Sequence, residues 1–369
     1  MKIFKLVLIG ITLLITASCS KVKTKMFLKM KGGKGVLFEG IKKIDFEISG
    51  VHTMRAVASF DDIEIPIVID TGGMTIIDKQ TAKEVNLELI ETPQEDVSLA
   101  KIKNTKLGNV SVTDLNAGVI DFVKMFKTKE EKCFGMIGSD FFRFYQTTFD
   151  YNKQQISFTM PKKLQEKSVN EHLLDMEIVF PYFPTVEIKI NGNKIRGMID
   201  TGLNYPFVLP IEMKQKLTNG NPEKVKKAKG FFCKWPFTDE PDNQLFLANE
   251  IEIGDIKIEN QAVFFAQLPK MMGSNVALIG KCFLDQYIFT LDYQNKQVLL
   301  KESEKNNFSL NYTAGIKIVK RKNSFKVIGI FEDSPADKAG IVLETKINRI
   351  NGKTPSEITN KELDDLLLV

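Results

Sequence analysis

The chain has 369 residues, 43% of them hydrophobic, with 51 basic and 46 acidic residues and a net charge of +5. That length suggests two or three domains with an adequate core, and the small charge excess comes without an RNA-binding or helix-turn-helix pattern that would point to nucleic acid. Only His52 and His172 are present, and four cysteines lack regular spacing, which excludes most histidine-based zinc hydrolases and a disulfide framework.

In chain order, Lys2 and Lys5 precede an apolar run from Leu6 to Ile15 and then Thr16-Ala17-Ser18-Cys19. The run is too short for a membrane span and reads as a secretory signal over residues 1–19. A cysteine straight after small residues resembles a bacterial lipobox, which implies lipidation at Cys19 and attachment to a membrane in the cell envelope, periplasmic or surface-exposed. Ser20 in place of an acidic residue leans toward the outer membrane. Residues 20–50, lysine-rich with glycines at first, read as a tether and leading strands.

Next comes a hairpin pattern, Val57 to Phe60, the turn residues Asp61-Asp62, and Ile63 to Ile69, ending in Asp70-Thr71-Gly72. Downstream lie Met136-Ile137-Gly138, Phe141-Phe142, Tyr145 and Thr148-Phe149-Asp150-Tyr151. The whole pattern then repeats. Val186 to Ile190, the hairpin signal Asn191-Gly192, and Lys194 to Ile199 lead to Asp200-Thr201-Gly202, followed by Leu278-Ile279-Gly280, Phe283-Leu284, Tyr287 and Thr290-Leu291-Asp292-Tyr293. The triplets are 130 residues apart and the glycine blocks 142 apart, so the middle of the second unit is longer by twelve residues. Gly138-Ser139-Asp140 lacks the glycine pattern of a nucleophile elbow and has Lys281 where Ser139 stands, so it reads as structural. Asp150 and Asp292 read as turn formers, and Cys133 and Cys282 as small buried apolar residues. Which pair of Cys133, Cys233 and Cys282 would form a disulfide stays open.

Two strand-end Asp-Thr-Gly triplets, each followed by an Ile-Gly segment and an aromatic-rich helix and strand, resemble the retropepsin or pepsin-like aspartic protease family over about residues 52 to 300. The resemblance implies a mainly β chain, with two retropepsin-like β-barrel lobes (51–165 and 166–302) forming an intrachain pseudo-dimer. It implies that Asp70 and Asp200 are the catalytic dyad, that Thr71 and Thr201 hydrogen-bond across to the opposite loop beside Gly72 and Gly202, and that Gly138 and Gly280 let a segment cross beneath each loop. No cofactor or metal is implied, and the partner is a polypeptide substrate. Two features depart from the family. The residues after the triplets are Gly73 and Leu203, neither of which offers a hydroxyl, so the expected pH optimum lies nearer neutral than that of pepsin. No glycine marks a flap tip between Glu91 and Lys106, whereas the stretch from Gly230 to Phe246, with Phe232 and Trp235, reads as a lid or a surface loop.

From about residue 308 to 369 the pattern changes. Ala314-Gly315-Ile316, the run Ser334-Pro335-Ala336-Asp337-Lys338-Ala339-Gly340-Ile341 and the turn Ile350-Asn351-Gly352 are similar to bacterial PDZ domains. That resemblance implies a small partial α+β domain whose loop at Ala314, Gly315 and Ile316 captures a peptide carboxylate. Glu344-Thr345 replaces the usual Gly-Asp, and the closing strands are missing, so the domain is incomplete, unstable alone or completed by another element, or else it is a small β-rich cap packed on the protease body. The sequence therefore predicts a lipid-anchored aspartic endopeptidase of the envelope, with a non-catalytic peptide-binding lipoprotein as the alternative.

Overall fold

The computed structural model describes residues 32–48, 54–92, 96–126, 132–166, 168–230, 244–268, 275–304, 315–359 and 362–363. The first half contributes strands β1 (Lys34–Gly35), β2 (Lys42–Asp45), β3 (Glu47–Ile48), β4 (Met54–Phe60), β5 (Ile63–Asp70), β6 (Ile76–Asp78), β7 (Leu89–Glu91), β8 (Ser98–Leu107), β9 (Val110–Ile120), β10 (Gly135–Gly138), β11 (Gln146–Asp150) and β12 (Gln155–Thr159). Its helices are short: α1 (Lys79–Glu84), α2 (Phe122–Phe126) and α3 (Ser139–Phe142). Strands β4, β5, β10, β6, β9 and β8 pair in that order, and β8 pairs back onto β4, which closes a six-stranded barrel.

The second half repeats the arrangement with β13 (Glu171–Asp175), β14 (Glu177–Val179), β15 (Phe183–Ile190), β16 (Asn193–Ile199), β17 (Phe207–Pro210), β18 (Val225–Gly230), β19 (Gln244–Ile253), β20 (Ile256–Ala266), β21 (Val276–Ile279), β22 (Tyr287–Asp292) and β23 (Gln297–Glu302). Helices α4 (Lys214–Leu217) and α5 (Lys281–Leu284) accompany them. Here β15, β16, β21, β17, β20 and β19 follow one another, and β15–β19 pairing closes the second barrel. The chain is thus mainly β, with two retropepsin-like barrel lobes facing each other as an intrachain pseudo-dimer.

Local chemistry accounts for the hairpins that launch each barrel. Asp61 and Asp62 have φ of 49° and 69°, and Asn191 and Gly192 have 48° and 75°. Both central residues of each turn are therefore left-handed, the conformation whose twist matches two antiparallel strands and which Asp, Asn and Gly adopt at least cost. Along β15 the alternation then buries Val186, Ile188 and Ile190 while Glu187 stays exposed.

A separate six-stranded sheet joins the lobes, in the order β13-β23-β22-β11-β12-β2. Its centre is the antiparallel pair β11 and β22, where Thr148 faces Thr290 and Phe149 faces Phe289. Residues 32–48, expected as part of the tether and leading strands, supply β1, which pairs with β9, and β2, which edges this sheet. Asp150 and Asp292 cap the turns after the central strands, accepting from the amides of Lys153 and Asn295 at 3.0 Å each. One apolar cluster runs through both lobes, from Phe60, Phe141 and Phe158 to Ile188, Phe265 and Leu300.

The last segment forms β24 (Ile316–Lys320), β25 (Phe325–Phe331), α6 (Pro335–Lys338) and β26 (Lys346–Ile347). It has a small core of its own, including Ile318, Phe325, Val327, Ile330 and Ile358. Ser334 caps α6 by accepting from the Asp337 amide, and Pro335 opens the helix where no amide proton is needed. Strand β25 pairs with β18 of the second lobe, Ala228 opposite Phe331 and Gly230 opposite Gly329, so the second barrel and the C-terminal unit share one continuous sheet. The element that pairs with the short C-terminal unit is therefore a strand of the second lobe. Among the described residues no helix is long and apolar enough to cross a membrane.

Candidate active site

Strands β5 and β16 each lead into an aspartate at their carboxyl end, and in each lobe a second strand runs parallel beside it: Gly138 pairs with Asp70, and Ile279 with Ile199. Beyond the strand the chain turns sharply. The Gly72 amide donates to Asp70 Oδ1 at 2.8 Å, and the Gly202 amide donates to Asp200 Oδ1 at 3.0 Å. The threonines cross over. Thr71 donates from its hydroxyl to the Ile199 carbonyl at 2.8 Å and from its amide to Thr201 Oγ1 at 3.0 Å. Thr201 returns both bonds, from its hydroxyl to the Ile69 carbonyl at 3.3 Å and from its amide to Thr71 Oγ1 at 3.2 Å. Both threonines are buried, so these four bonds fix the spacing of the two loops in an environment without competing water.

The carboxyl groups meet between the loops and hydrogen-bond to one another. A Cβ on Gly72 would sit 2.5 Å from Asp200 Cγ, and one on Gly202 would sit 2.5 Å from Asp70 Cγ. Each triplet's glycine is thus the floor on which the opposite carboxyl rests, and any side chain there would push that carboxyl away. Gly138 and Gly280 have the same steric role in the layer beneath. A Cβ would come within 2.4 Å of the Gly73 carbonyl oxygen in the first case and 2.1 Å of the Tyr205 carbonyl oxygen in the second.

Burial pushes the Asp70 carboxyl above its ordinary value, against the pull of its bonds from Asp200 and from the amides of Gly72, Gly202 and Gly73. Asp200 is raised further, first by burial and then by the charge of Asp70 beside it. Two such groups ionise in succession, so over a range of pH the pair holds one proton and one negative charge. Met136 lies beside the first loop, since a Cβ on Gly73 would meet its Cε at 2.7 Å and Asp70 Oδ2 at 3.2 Å, and Leu203, next after the second triplet, belongs to a buried apolar cluster with Met198 and Leu278.

Behind the loops, the two lobes use different anchors. Thr75 in the first lobe gives its amide and hydroxyl to Asp140 Oδ1 at 2.9 and 2.8 Å, and its Oγ1 accepts from the Gly138 amide at 3.3 Å. The repeat aligns Thr75 with Tyr205 and Asp140 with Cys282. The Tyr205 hydroxyl accepts from Lys317 Nζ, on β24 of the C-terminal unit, at 2.7 Å. Sequence reasoning passed over Asp140, Tyr205 and Lys317 as site residues. The break in the repeat at Cys282, between the matching Gly280 and Phe283, was the available signal.

Ser139 donates to the Gly73 carbonyl at 2.9 Å and is buried, a structural arrangement. Between Glu91 and Lys106, where glycine is lacking, β7 and β8 nonetheless form a hairpin, with Ile90 opposite Leu99. Strands β18 and β19 pair antiparallel in the second lobe, and Phe232 and Trp235 lie outside the described residues, as do Cys19 and Ala314. Gly315 has φ of +68° and its carbonyl accepts from the Phe331 amide at 2.9 Å, while Ile316 begins β24 opposite Ile330. Asp70 and Asp200 come together; Gly315 and Ile316 belong to the separate C-terminal unit.

No family model matches the chain, and no curated protein matches it in sequence. Among solved structures it is similar to the crystal structure of Basic 7S globulin from soybean, at 12% sequence identity and a TM-score of 0.42, over 72% of this chain and 97% of that one. The functional reading rests on the geometry of the chain itself.

Proposed function

We propose that the chain is an aspartic endopeptidase, anchored by lipid at Cys19 in a bacterial envelope, that cleaves extended polypeptides with a water activated between Asp70 and Asp200. The observation that carries this is the hydrogen bond between the half-buried Asp70 carboxyl and the buried Asp200 carboxyl, held together by reciprocal threonine bonds. Two adjacent carboxyls in a buried site are costly to keep, and their chemical use is to share a proton. The charged member takes a proton from water as it attacks the peptide carbonyl, the neutral member donates to the carbonyl oxygen, and the roles reverse to protonate the leaving amine.

The test uses the protein without residues 1–19 and an unfolded protein as substrate. Asp70→Asn and Asp200→Asn are each expected to lower cleavage by about 10²- to 10⁴-fold, and a statine-type transition-state mimic is expected to inhibit the unaltered protein. Cleavage that survives either substitution removes the dyad from the mechanism. A second reading, a binding module that holds peptides without cutting them, is favoured by the outer edge of β24, onto which no strand pairs among the described residues. Peptide binding with no cleavage under any pH would support that reading instead.

A further inference from the structure

The two halves of the site are alike down to individual hydrogen bonds, so a difference between them carries information. In the first lobe the loop after Asp70 is held at Thr75 by Asp140, whose fully buried carboxyl accepts hydrogen bonds from both the amide and the hydroxyl of Thr75. In the second lobe Cys282 occupies the place of Asp140, and its thiol donates to the Asn204 carbonyl. A thiol cannot accept two strong bonds as a carboxylate does. The residue aligned with Thr75 is Tyr205, and its hydroxyl is met from outside the lobe, by Lys317 Nζ at 2.7 Å, with the ammonium 4.9 Å from the ring centre. Tyr205 packs on Phe264 with ring centres 4.5 Å apart, and Phe264 packs on Phe331 of β25 at 5.8 Å. Leu203, Tyr205, Phe264 and Phe331 share one apolar cluster. The carbonyls of Leu203 and Tyr205 in turn close around Gly280, and the Leu203 carbonyl accepts from the Lys281 amide at 2.7 Å.

From this we infer that the C-terminal unit is a built-in component of the Asp200 half-site: Lys317 and Phe331 are positioning residues that hold the loop from Asp200 to Tyr205, as Asp140 holds the loop from Asp70 to Thr75. The inference rests on the peptidase reading for its effect on rate, though not for its effect on the loop. The unit has the means to act as a fixed strut. Its β25 is joined to β18 by main-chain pairing and by the Glu332 amide donating to the Lys227 carbonyl at 2.9 Å, with Lys226–Asp333 and Lys229–Asp337 ion pairs along the rim. Exposed ion pairs add little, so the ladder and the Phe331 contact carry the docking.

The experiment compares the unaltered protein with Lys317→Met, Lys317→Arg and Phe331→Ala, reading amide hydrogen exchange of the two loops and peptide cleavage. Lys317→Met keeps the length of the side chain and removes the charged donor, so the fold is retained. Exchange at Thr201 to Tyr205 is expected to quicken by about tenfold while Thr71 to Thr75 stay as they are, and kcat is expected to fall by about tenfold with KM unchanged, as for a misplaced carboxyl. Lys317→Arg, which still donates to the Tyr205 hydroxyl, restores most of both, and Phe331→Ala acts on the same loop alone. Unchanged exchange in Lys317→Met, or an equal rise in both loops, overturns the inference. If the unaltered protein cleaves nothing but the one-sided exchange effect is present, the peptidase reading fails and the positioning role stands.

Discussion

Asp140 is a single residue whose ionisation is coupled to the fold. Burial pushes its carboxyl up to about 6, in spite of two bonds from Thr75 and the nearby Arg143 guanidinium. Its second oxygen, Oδ2, meets no donor among the described residues, and Tyr293, itself raised well above its ordinary value by burial, lies close enough to feel its charge. Because the folded value is above the unfolded one, the group contributes stability below the ordinary 3.8, and that contribution is lost as pH rises through about 6. Asp140→Asn keeps an oxygen for Thr75 and removes the charge. Relative to this variant, the unaltered protein is expected to lose about 2 to 3 kcal/mol between pH 4 and 7, seen as a pH-dependent gap between their unfolding midpoints in urea. A constant gap would mean the carboxyl is not buried as a charge. The dyad follows the same logic with a catalytic readout. Both carboxyls are raised, so the window in which a single proton is shared moves upward, and the profile of kcat/KM is expected to peak nearer neutral than pepsin's. A maximum well below about pH 4 would contradict this.

Elements rather than residues decide how closely the loops approach. Strand β10 ends in Gly138 and β21 leads into Gly280, and at Gly280 an added Cβ would lie 2.1 Å from one backbone oxygen and 2.6 Å from another. Backbone cannot swing aside as a side chain can, so Gly280→Ala must part β21 from the Asp200 loop. Overpacking of that kind costs about 1 to 3 kcal/mol, and a carboxyl displaced by about 1 Å loses about 10²-fold in rate. Gly192→Ala is the contrast: the position has φ of +75° but open space around it, so only the conformational cost of about 1 kcal/mol applies and cleavage is retained. Urea unfolding and kcat/KM of the two variants separate the effects, and equal losses at both sites would show that the crossing is not tight. The same strands show what a sequence reveals. Apolar alternation, turn residues and the repeat made both barrels and the meeting of Asp70 with Asp200 legible, because each is marked by residue type at fixed offsets. The pairing of β18 with β25 was not, since main-chain hydrogen bonds between distant strands leave no side-chain pattern. The pairing of β7 with β8 was also hidden, because the sequence between them carries no glycine to mark it. Cys282 in place of Asp140 was visible, yet its meaning needed the position of Lys317.

At the scale of the whole molecule, the dyad depends on two lobes that cannot separate. Thr148 and Thr290 hydrogen-bond at 2.8 Å across the centre of the interlobe sheet, and Phe149 stacks on Phe289 with ring centres 4.6 Å apart and planes 11° from parallel. Tyr151, just past β11 in the first lobe, is raised well above its ordinary value first by burial, with added contributions from Asp285, Asp200, Cys282 and Asp70, so its hydroxyl lies within reach of charge from both halves of the site. Since one apolar cluster spans both barrels, neither has a complete core alone, and unfolding of the lobes is expected to be one cooperative event. Phe289→Ala removes a fully buried ring from that shared region, which costs about 3 to 5 kcal/mol. Calorimetry should show the lobes' single transition moving down as a unit, with hydrogen exchange rising in β4 and β5 as much as in β15 and β16. If only the second lobe's strands lose protection while the first keeps its own melting point, the lobes are independent bodies, and the fixed distance between Asp70 and Asp200 would have to come from the threonine crossing alone.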